Sequence, residues 1–238
     1  MTSRIASEPG MAEADATDAS ARPQGTPRSA AQAGRRWRWP DFIQVVLDKD
    51  PAARNMLEVL LYPSVHALFF HRIAHALYRV GVPVLPRFIS QTARFVTGGV
   101  EIHPGAQIGK RFFVDHGSGV VIGETSIIGD DVMLYHQVTI GATGWWRHAN
   151  QPSGRNARRR HPKIENGVTI GVGASILGPI TIGANTRIGA LAIVTEDVPP
   201  ESVVVGPRAT YLVKSGQKVD QQPVHQLELS SDDITYSI

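Results

Sequence analysis

From Ile102 to Val198, branched apolar residues recur every six positions, usually with a glycine directly behind. The first run is Ile102, Ile108 and Val114. A second, shifted by two residues, is Ile122, Ile128, Leu134 and Ile140. A third is Ile164, Ile170, Ile176, Ile182, Ile188 and Val194. A helix repeats apolar residues at 3.6 and a strand at 2, so neither explains this spacing. A six-residue period is the mark of a parallel β-helix. A flat sheet of many short strands would turn roughly every 8–12 residues and would not hold the six-residue phase.

A second layer runs alongside. Four residues after successive markers stand Ala106, Ser126, Val132, Val138, Val168, Ala174, Ile180, Thr186, Ala192 and Val198. The unit reads branched apolar, Gly, two variable residues, a small or branched residue, one variable residue. Three such units close a triangular coil whose markers point inward and stack on those of the next coil. Roughly four to five coils are expected. A single coil cannot bury its own inner face, but a stack can.

The rest of the chain differs in character. Residues 1–38 mix Ala, Ser, Thr, Gly and Pro with charges and read as a disordered tail. Glu8, Glu13, Asp15 and Asp18 argue against an organelle presequence, and no apolar secretory core is present. Residues 39–98 read as an α-helical domain, with helices starting near Trp39-Pro40-Asp41, at Asp50-Pro51, at Pro63-Ser64 and at Leu85. On the third, Val65, Leu68, Phe69, Ile73, Ala76 and Leu77 are expected to share a buried stripe. Residues 99–206 carry the repeat, with a loop inserted at 142–162, and 207–238 read as a polar C-terminal tail. The fold expected is therefore mixed α plus β: a helical domain followed by a left-handed parallel β-helix of hexapeptide repeats.

Composition excludes several functions. Of 238 residues, 42% are hydrophobic, yet no apolar run approaches the ~20 needed to cross a bilayer, so no membrane association and a cytoplasmic location are expected. The absence of cysteine removes disulfides, thiolate metal sites and a cysteine nucleophile. Net charge is only +3, and the clusters Arg35-Arg36-Arg38 and Arg158-Arg159-Arg160 lack the broad basic face a nucleic acid needs.

Chemistry is expected where the repeat breaks, because the regular coils already have a structural explanation. One break is Asp115-His116-Gly117-Ser118-Gly119, which shifts the phase by two residues. The other runs from Ala142 to Pro162 and carries Trp145, Trp146, Arg147, His148 and Arg158-Arg159-Arg160-His161. His116 is suited to accept a proton near neutral pH. Glu101 lies fifteen residues earlier, and an eighteen-residue coil would bring it beside His116 on the adjacent level. A carboxylate on the second ring nitrogen would fix the tautomer and stabilise the imidazolium. Such a pair activates an alcohol for attack on an acyl group. Other histidines read differently. His71 and His75, four apart on a helix, have metal-binding spacing but no third ligand, so packing explains them better. Trp145 and Trp146 could stack on an adenine ring or simply decorate an exposed loop.

Several stretches together resemble serine O-acetyltransferases. They are Asp48-Lys49-Asp50-Pro51-Ala52-Ala53, His66-Ala67-Leu68, His71-Arg72-Ile73-Ala74-His75 and Glu101-Ile102-His103-Pro104-Gly105-Ala106. To these are added Asp115 through Thr125 and Arg160-His161-Pro162-Lys163-Ile164. The resemblance covers roughly residues 41–206, and it implies transfer of acetyl from acetyl-CoA to the hydroxyl of L-serine, without metal. It implies His116 as general base with Glu101 as its acid partner, and His161 steadying the tetrahedral intermediate. Asp50, Asp115 and Arg160 would hold serine. Ala142, Thr143, Gly173 and Ala190 would line the path of acetyl-CoA between neighbouring β-helices of a homotrimer, or of a dimer of trimers. The terminal Ile238 would dock into O-acetylserine sulfhydrylase. Departures are Trp145-Trp146 after Gly141-Ala142-Thr143-Gly144, an insertion about ten residues longer than usual, and Val172 and Leu191 at usually small donor positions. Two other functions fit the residues: acetylation of a different hydroxyl acceptor such as homoserine or a sugar, and a catalytically silent scaffold that binds sulfhydrylase.

Overall fold

The structure is a computed structural model that describes residues 40–144 and 158–207, together with the backbone of two strands between 210 and 223. The expected tail at 1–38, the two tryptophans of the inserted loop and the terminal Ile238 lie outside the described residues. Four helices come first: α1 (Asp41–Lys49), α2 (Met56–Val59), α3 (Pro63–Arg79) and α4 (Leu85–Val96). The second helix does not begin at Asp50-Pro51. The Asp50 carboxylate accepts the Ala52 N–H at 2.7 Å and the Tyr62 hydroxyl at 2.6 Å, which holds that segment as a turn. The helix starts instead at Asn55, whose side chain caps the Glu58 N–H at 3.0 Å.

Strands β1 (Glu101–Ile102) to β14 (Val203–Val204) then wind through three parallel sheets. Sheet A is β1-β4-β7-β10-β13, sheet B is β2-β5-β8-β11, and sheet C is β3-β6-β9-β12-β14. Each strand up to β10 pairs with the strand three places later. β12 pairs with β14 because the segment between β13 and β14 makes only a single bridge among the described residues, Ile182 to Val198. The sheets thus form the walls of a triangular prism of five coils. The markers stack in register. Ile102, Ile122, Ile140, Ile176 and Val194 form one column, and Val114, Leu134, Ile170, Ile188 and Val204 another. Ile108, Ile128, Ile164 and Ile182 form the third. Most of these side chains are under 5% exposed, and the second layer from Ala106 to Ala192 is buried with them. Burying each isoleucine contributes on the order of 1.5–3 kcal/mol, so the columns dominate the stability of the prism.

The helices cap and clad this stack. Ala67 and Leu68 of α3 join the core of the first coil beside Val100 and Phe112. Phe113 points away from the coil axis, yet it is buried under Ile43, Val45, Val46, Val59 and Val65. The buried stripe of α3 is rotated from the expected one. It comprises Ser64, Val65, Ala67, Leu68, His71 and Ala74, while Phe69 and Ile73 are exposed. The small residues Ser64, Ala67 and Ala74 let the helix approach closely, and Val65, Leu68 and His71 fill the space between them. Within the expected polar tail, β15 (Thr210–Lys214) pairs antiparallel with β16 (Gln217–Pro223). Tyr211, Leu212 and Val213 supply β-formers, and Ser215-Gly216 is a turn-forming pair in the sequence.

His71 is 3% exposed, and neither ring nitrogen finds a well-formed hydrogen bond. Burial, reinforced by His75, Arg72 and His103, pushes its pKa down to about 3. The unfolded chain, with an ordinary histidine near 6.5, binds this proton first. Stability linked to neutral His71 is therefore complete above pH 6.5 and falls progressively as pH drops towards 3, by about 1.4 kcal/mol per unit. Replacing His71 with Leu should flatten that dependence. Urea unfolding at pH 7 and pH 5 should show a smaller loss for the variant than for the parent; equal losses would assign the acid sensitivity elsewhere.

Candidate active site

The phase breaks fall on two different edges of the prism. The edge between sheets C and A repeats a left-handed backbone at Gly119, Gln137, Gly173 and Leu191 (φ 71°, 61°, 68° and 59°). Gly119 lies against Gln137 in the next coil, and the Gln137 N–H bonds to the Ser118 carbonyl at 2.8 Å. His116 is extra to this rhythm. It belongs to the two-residue insertion, with φ 59° of its own, and the paired columns there are twenty residues apart instead of eighteen. A non-glycine residue held in that region is strained, a condition that clusters at functional sites. The insertion lifts the imidazole out of the wall, leaving its side chain 74% exposed. The ring stands edge-on to His136 below it, centroids 5.7 Å apart.

The carboxylate beside His116 is Asp115, whose Oδ2 lies 3.7 Å from Nε2. Glu101 does not occupy that place. It lies on β1 in register with Val121, and its oxygens are taken by Arg87 at 3.1 Å, Gln91 at 3.3 Å and Arg94 at 2.9 Å, all on α4. Among the described residues no ion pair joins Glu101 to His116. The coil containing both is lengthened by the insertion, and α4 supplies donors to Glu101 that a count of coil length could not reveal. Asp115 and His116 share a cavity of about 930 Å³ with Asp50, Pro51, Ala52, Arg54, Glu58 and Tyr62. Asp50 and His116 are thus brought to one cavity, as expected. Tyr62, missed in the sequence, holds Asp50, and that hydrogen bond is the main reason its own pKa is pushed up to about 12.

Arg160 and His161 stand at the other edge, between sheets A and B. The Arg160 guanidinium donates to Glu124 Oε2 at 2.6 Å, and the Tyr78 hydroxyl donates to Oε1 of the same carboxylate at 3.0 Å. His161 is 8% exposed and its ring fills the space beside Gly123 that any Cβ there would need. Its Nδ1 accepts the Thr125 N–H at 3.2 Å and lies 2.9 Å from the Thr125 hydroxyl. That hydroxyl oxygen accepts the N–H groups of Arg160 and His161, so its proton goes to Nδ1. Nε2 therefore carries the ring proton, and neutral His161 is a donor there. Glu124 and Thr125 sit in the Gly-Glu-Thr stretch that the sequence offered without separate roles. His103, beside them, has its pKa lowered chiefly by burial, with Glu124 opposing.

The four residues expected along acetyl-CoA divide the same way. Ala142 and Thr143 follow β7 (Thr139–Gly141) on the A/B edge, with Thr143 against Gly178. Gly173 and Ala190 lie on the C/A edge. A side chain at Gly173 would strike Leu191 at 2.9 Å, and its φ of +68° disfavours one in any case. Leu191 is itself 59% exposed along this edge.

Replacing Gly123 with Ala should displace the His161 ring from Thr125 and cost about 1–3 kcal/mol through overpacking. Urea unfolding checks this; an unchanged midpoint would mean that the ring yields without cost.

Comparison with known proteins accords with this geometry. A family model described as bacterial transferase hexapeptide (six repeats) matches residues 161–196. A serine acetyltransferase of Synechococcus elongatus is 49% identical over 181 residues, spanning 76% of this chain and 69% of that protein. A serine acetyltransferase of Helicobacter pylori is 50% identical over 173 residues, spanning 72% of this chain and 95% of that protein. The crystal structure of serine acetyltransferase isoform 3 of Entamoeba histolytica in complex with cysteine aligns with a TM-score of 0.66 at 36% identity. It covers 74% of this chain and 59% of that one. Neisseria gonorrhoeae serine acetyltransferase in complex with serine gives 0.62 at 39% identity, over 70% and 64%. This chain thus spans less than two thirds of those two solved chains. With half of the aligned residues identical along nearly the whole of the Helicobacter protein, the chain belongs to the serine acetyltransferase family.

Proposed function

We propose that the protein transfers acetyl from acetyl-CoA to the hydroxyl of L-serine, in a site built between two copies of the chain. The observation that carries this reading is the separation of the two residue sets. Tyr62 and Tyr78 lie at opposite ends of α3, about 24 Å apart at 1.5 Å per residue. One bonds to Asp50 and the other to the carboxylate that holds Arg160. The His116 set and the Arg160–His161 set are thus too far apart to grip one amino acid within a single chain. A contact between the C/A edge of one copy and the A/B edge of the next would join them. Such a contact uses different surfaces on each partner and closes as a ring, which supports a homotrimer over an isologous pair. A left-handed coil, the usual hand for hexapeptide repeats, fits this arrangement.

In that crevice His116 takes the proton of the serine hydroxyl as the oxygen attacks the thioester carbonyl. Asp115 Oδ2, 3.7 Å from Nε2, stands beside the ring as it takes the proton. Asp50 and Asp115 attract the serine ammonium, and Arg160 receives the carboxylate. His161, with Nδ1 held by Thr125, would donate from Nε2 to the oxyanion of the tetrahedral intermediate. Collapse of that intermediate expels the CoA thiolate, which takes up the proton His116 removed. The products are O-acetyl-L-serine and CoA, an early step towards cysteine. Small residues on both edges leave room for the pantetheine arm, and a CoA donor supports a cytoplasmic setting.

Substituting His116 with Ala should lower kcat by about 10²–10⁴ with little change in acetyl-CoA affinity. Co-expression of His116→Ala with His161→Ala chains provides the sharper test. Mixed trimers contain one intact site, so activity should return to at most about one third of the parent level, although each variant alone is poor. No recovery in isolated mixed trimers would overturn the shared site. Thiol release over L-serine, homoserine and sugar alcohols checks the acceptor; turnover with any of these but not with L-serine would sink the serine assignment.

A further inference from the structure

Both polar hooks of the half-sites hang from the same helix. At the start of α3, the Tyr62 hydroxyl donates to Asp50 Oδ2 at 2.6 Å, while the Ala52 N–H occupies Oδ1 at 2.7 Å. At the end of α3, the Tyr78 hydroxyl donates to Glu124 Oε1 at 3.0 Å, while Arg160 occupies Oε2 at 2.6 Å. In each case a phenol fixes one oxygen of a carboxylate and a second donor fixes the other. The carboxylate plane is then determined from two sides. Neither tyrosine lies in the repeat, and each hydroxyl is spent on a carboxylate: Tyr62 at the wall of the cavity that holds Asp115 and His116, Tyr78 behind Arg160. The helix between them is anchored independently: Arg72 donates to the Ile108 and Gly109 carbonyls, each at 2.8 Å, and His75 Nδ1 bonds to the Pro104 carbonyl at 2.8 Å.

We infer that Tyr62 and Tyr78 are positioning residues for serine recognition, Tyr62 aiming Asp50 at the ammonium group and Tyr78, through Glu124, aiming Arg160 at the carboxylate. The inference rests on the serine-site reading above. Because the two ends of α3 serve half-sites on different edges, one helix sets recognition groups in two neighbouring crevices of the ring. The expectation concerns serine only: of the donor-lining residues, Gly173 and Ala190 lie on later C/A corners, and Ala142 and Thr143 follow β7, one coil beyond Glu124.

The test is steady-state kinetics of Tyr62→Phe and Tyr78→Phe in the full-length protein, with Asp50→Asn and Arg160→Lys as references. Loss of a hydrogen bond to a charged group should raise the KM for L-serine about tenfold or more in each Phe variant. The KM for acetyl-CoA should stay within about twofold and the melting temperature within a few degrees. Equal increases in both KM values, accompanied by a lower melting temperature, would reduce the tyrosines to a structural role and overturn the proposal. An unchanged serine KM in a Phe variant, with the matching reference variant raised, overturns it for that end of the helix. If the reference variants also leave serine KM unchanged, the failure lies in the serine-site reading itself.

Discussion

The stacking of identical side chains in register governs this molecule. Ile122 on Ile140 on Ile176 is a contact between residues that occupy the same place in successive coils, and so are the other columns. Each column is continuous and almost wholly buried, and the parallel ladder beside it satisfies the backbone. A coil can therefore be lengthened only at its corners. An insertion within a strand would throw its marker out of the column and turn every following side chain over. Both insertions in this chain obey that constraint. Asp115 to Gly119 expands a C/A corner, and Ala142 to Pro162 expands an A/B corner, while the columns continue past them without a slip.

Reactive groups are consequently carried by a rigid frame at positions the frame does not need. His116 projects because it is surplus to its corner. His161 is held in place because Gly123 leaves room for its ring and Thr125 grips one ring nitrogen. The helices add a second kind of control. They cover the outward face of Phe113, close the first coil with Ala67 and Leu68, and supply the phenols and guanidinia that bind the carboxylates. The same frame keeps the two sets of polar groups on different edges, the His116 set between sheets C and A and the Arg160–His161 set between sheets A and B.

Much of this was legible beforehand because it is periodic. The markers from Ile102 to Val194, the small inward residues from Ala106 to Ala192 and the two corner insertions are all written in spacing. The contacts that were misread depend on partners remote in sequence. Glu101 looked available to His116 until Arg87 and Arg94 met it from α4. Asp50-Pro51 resembled a helix start, but Tyr62, twelve residues on, claims its carboxylate. Phe69 and Ile73 fit an apolar stripe by periodicity, yet His71 is the residue that α3 buries, since the closeness of the prism favours its small neighbours Ala67 and Ala74.

The sequence by itself determined a prism of stacked coils, the corners at which it would be interrupted and the residue types placed there, because a repeat of six leaves those side chains one mode of burial. Only the tertiary structure decided which carboxylate meets which cation and which edge each reactive group occupies. Those choices turn on directions and distances of a few ångströms between segments separated by tens of residues, and no local spacing encodes them.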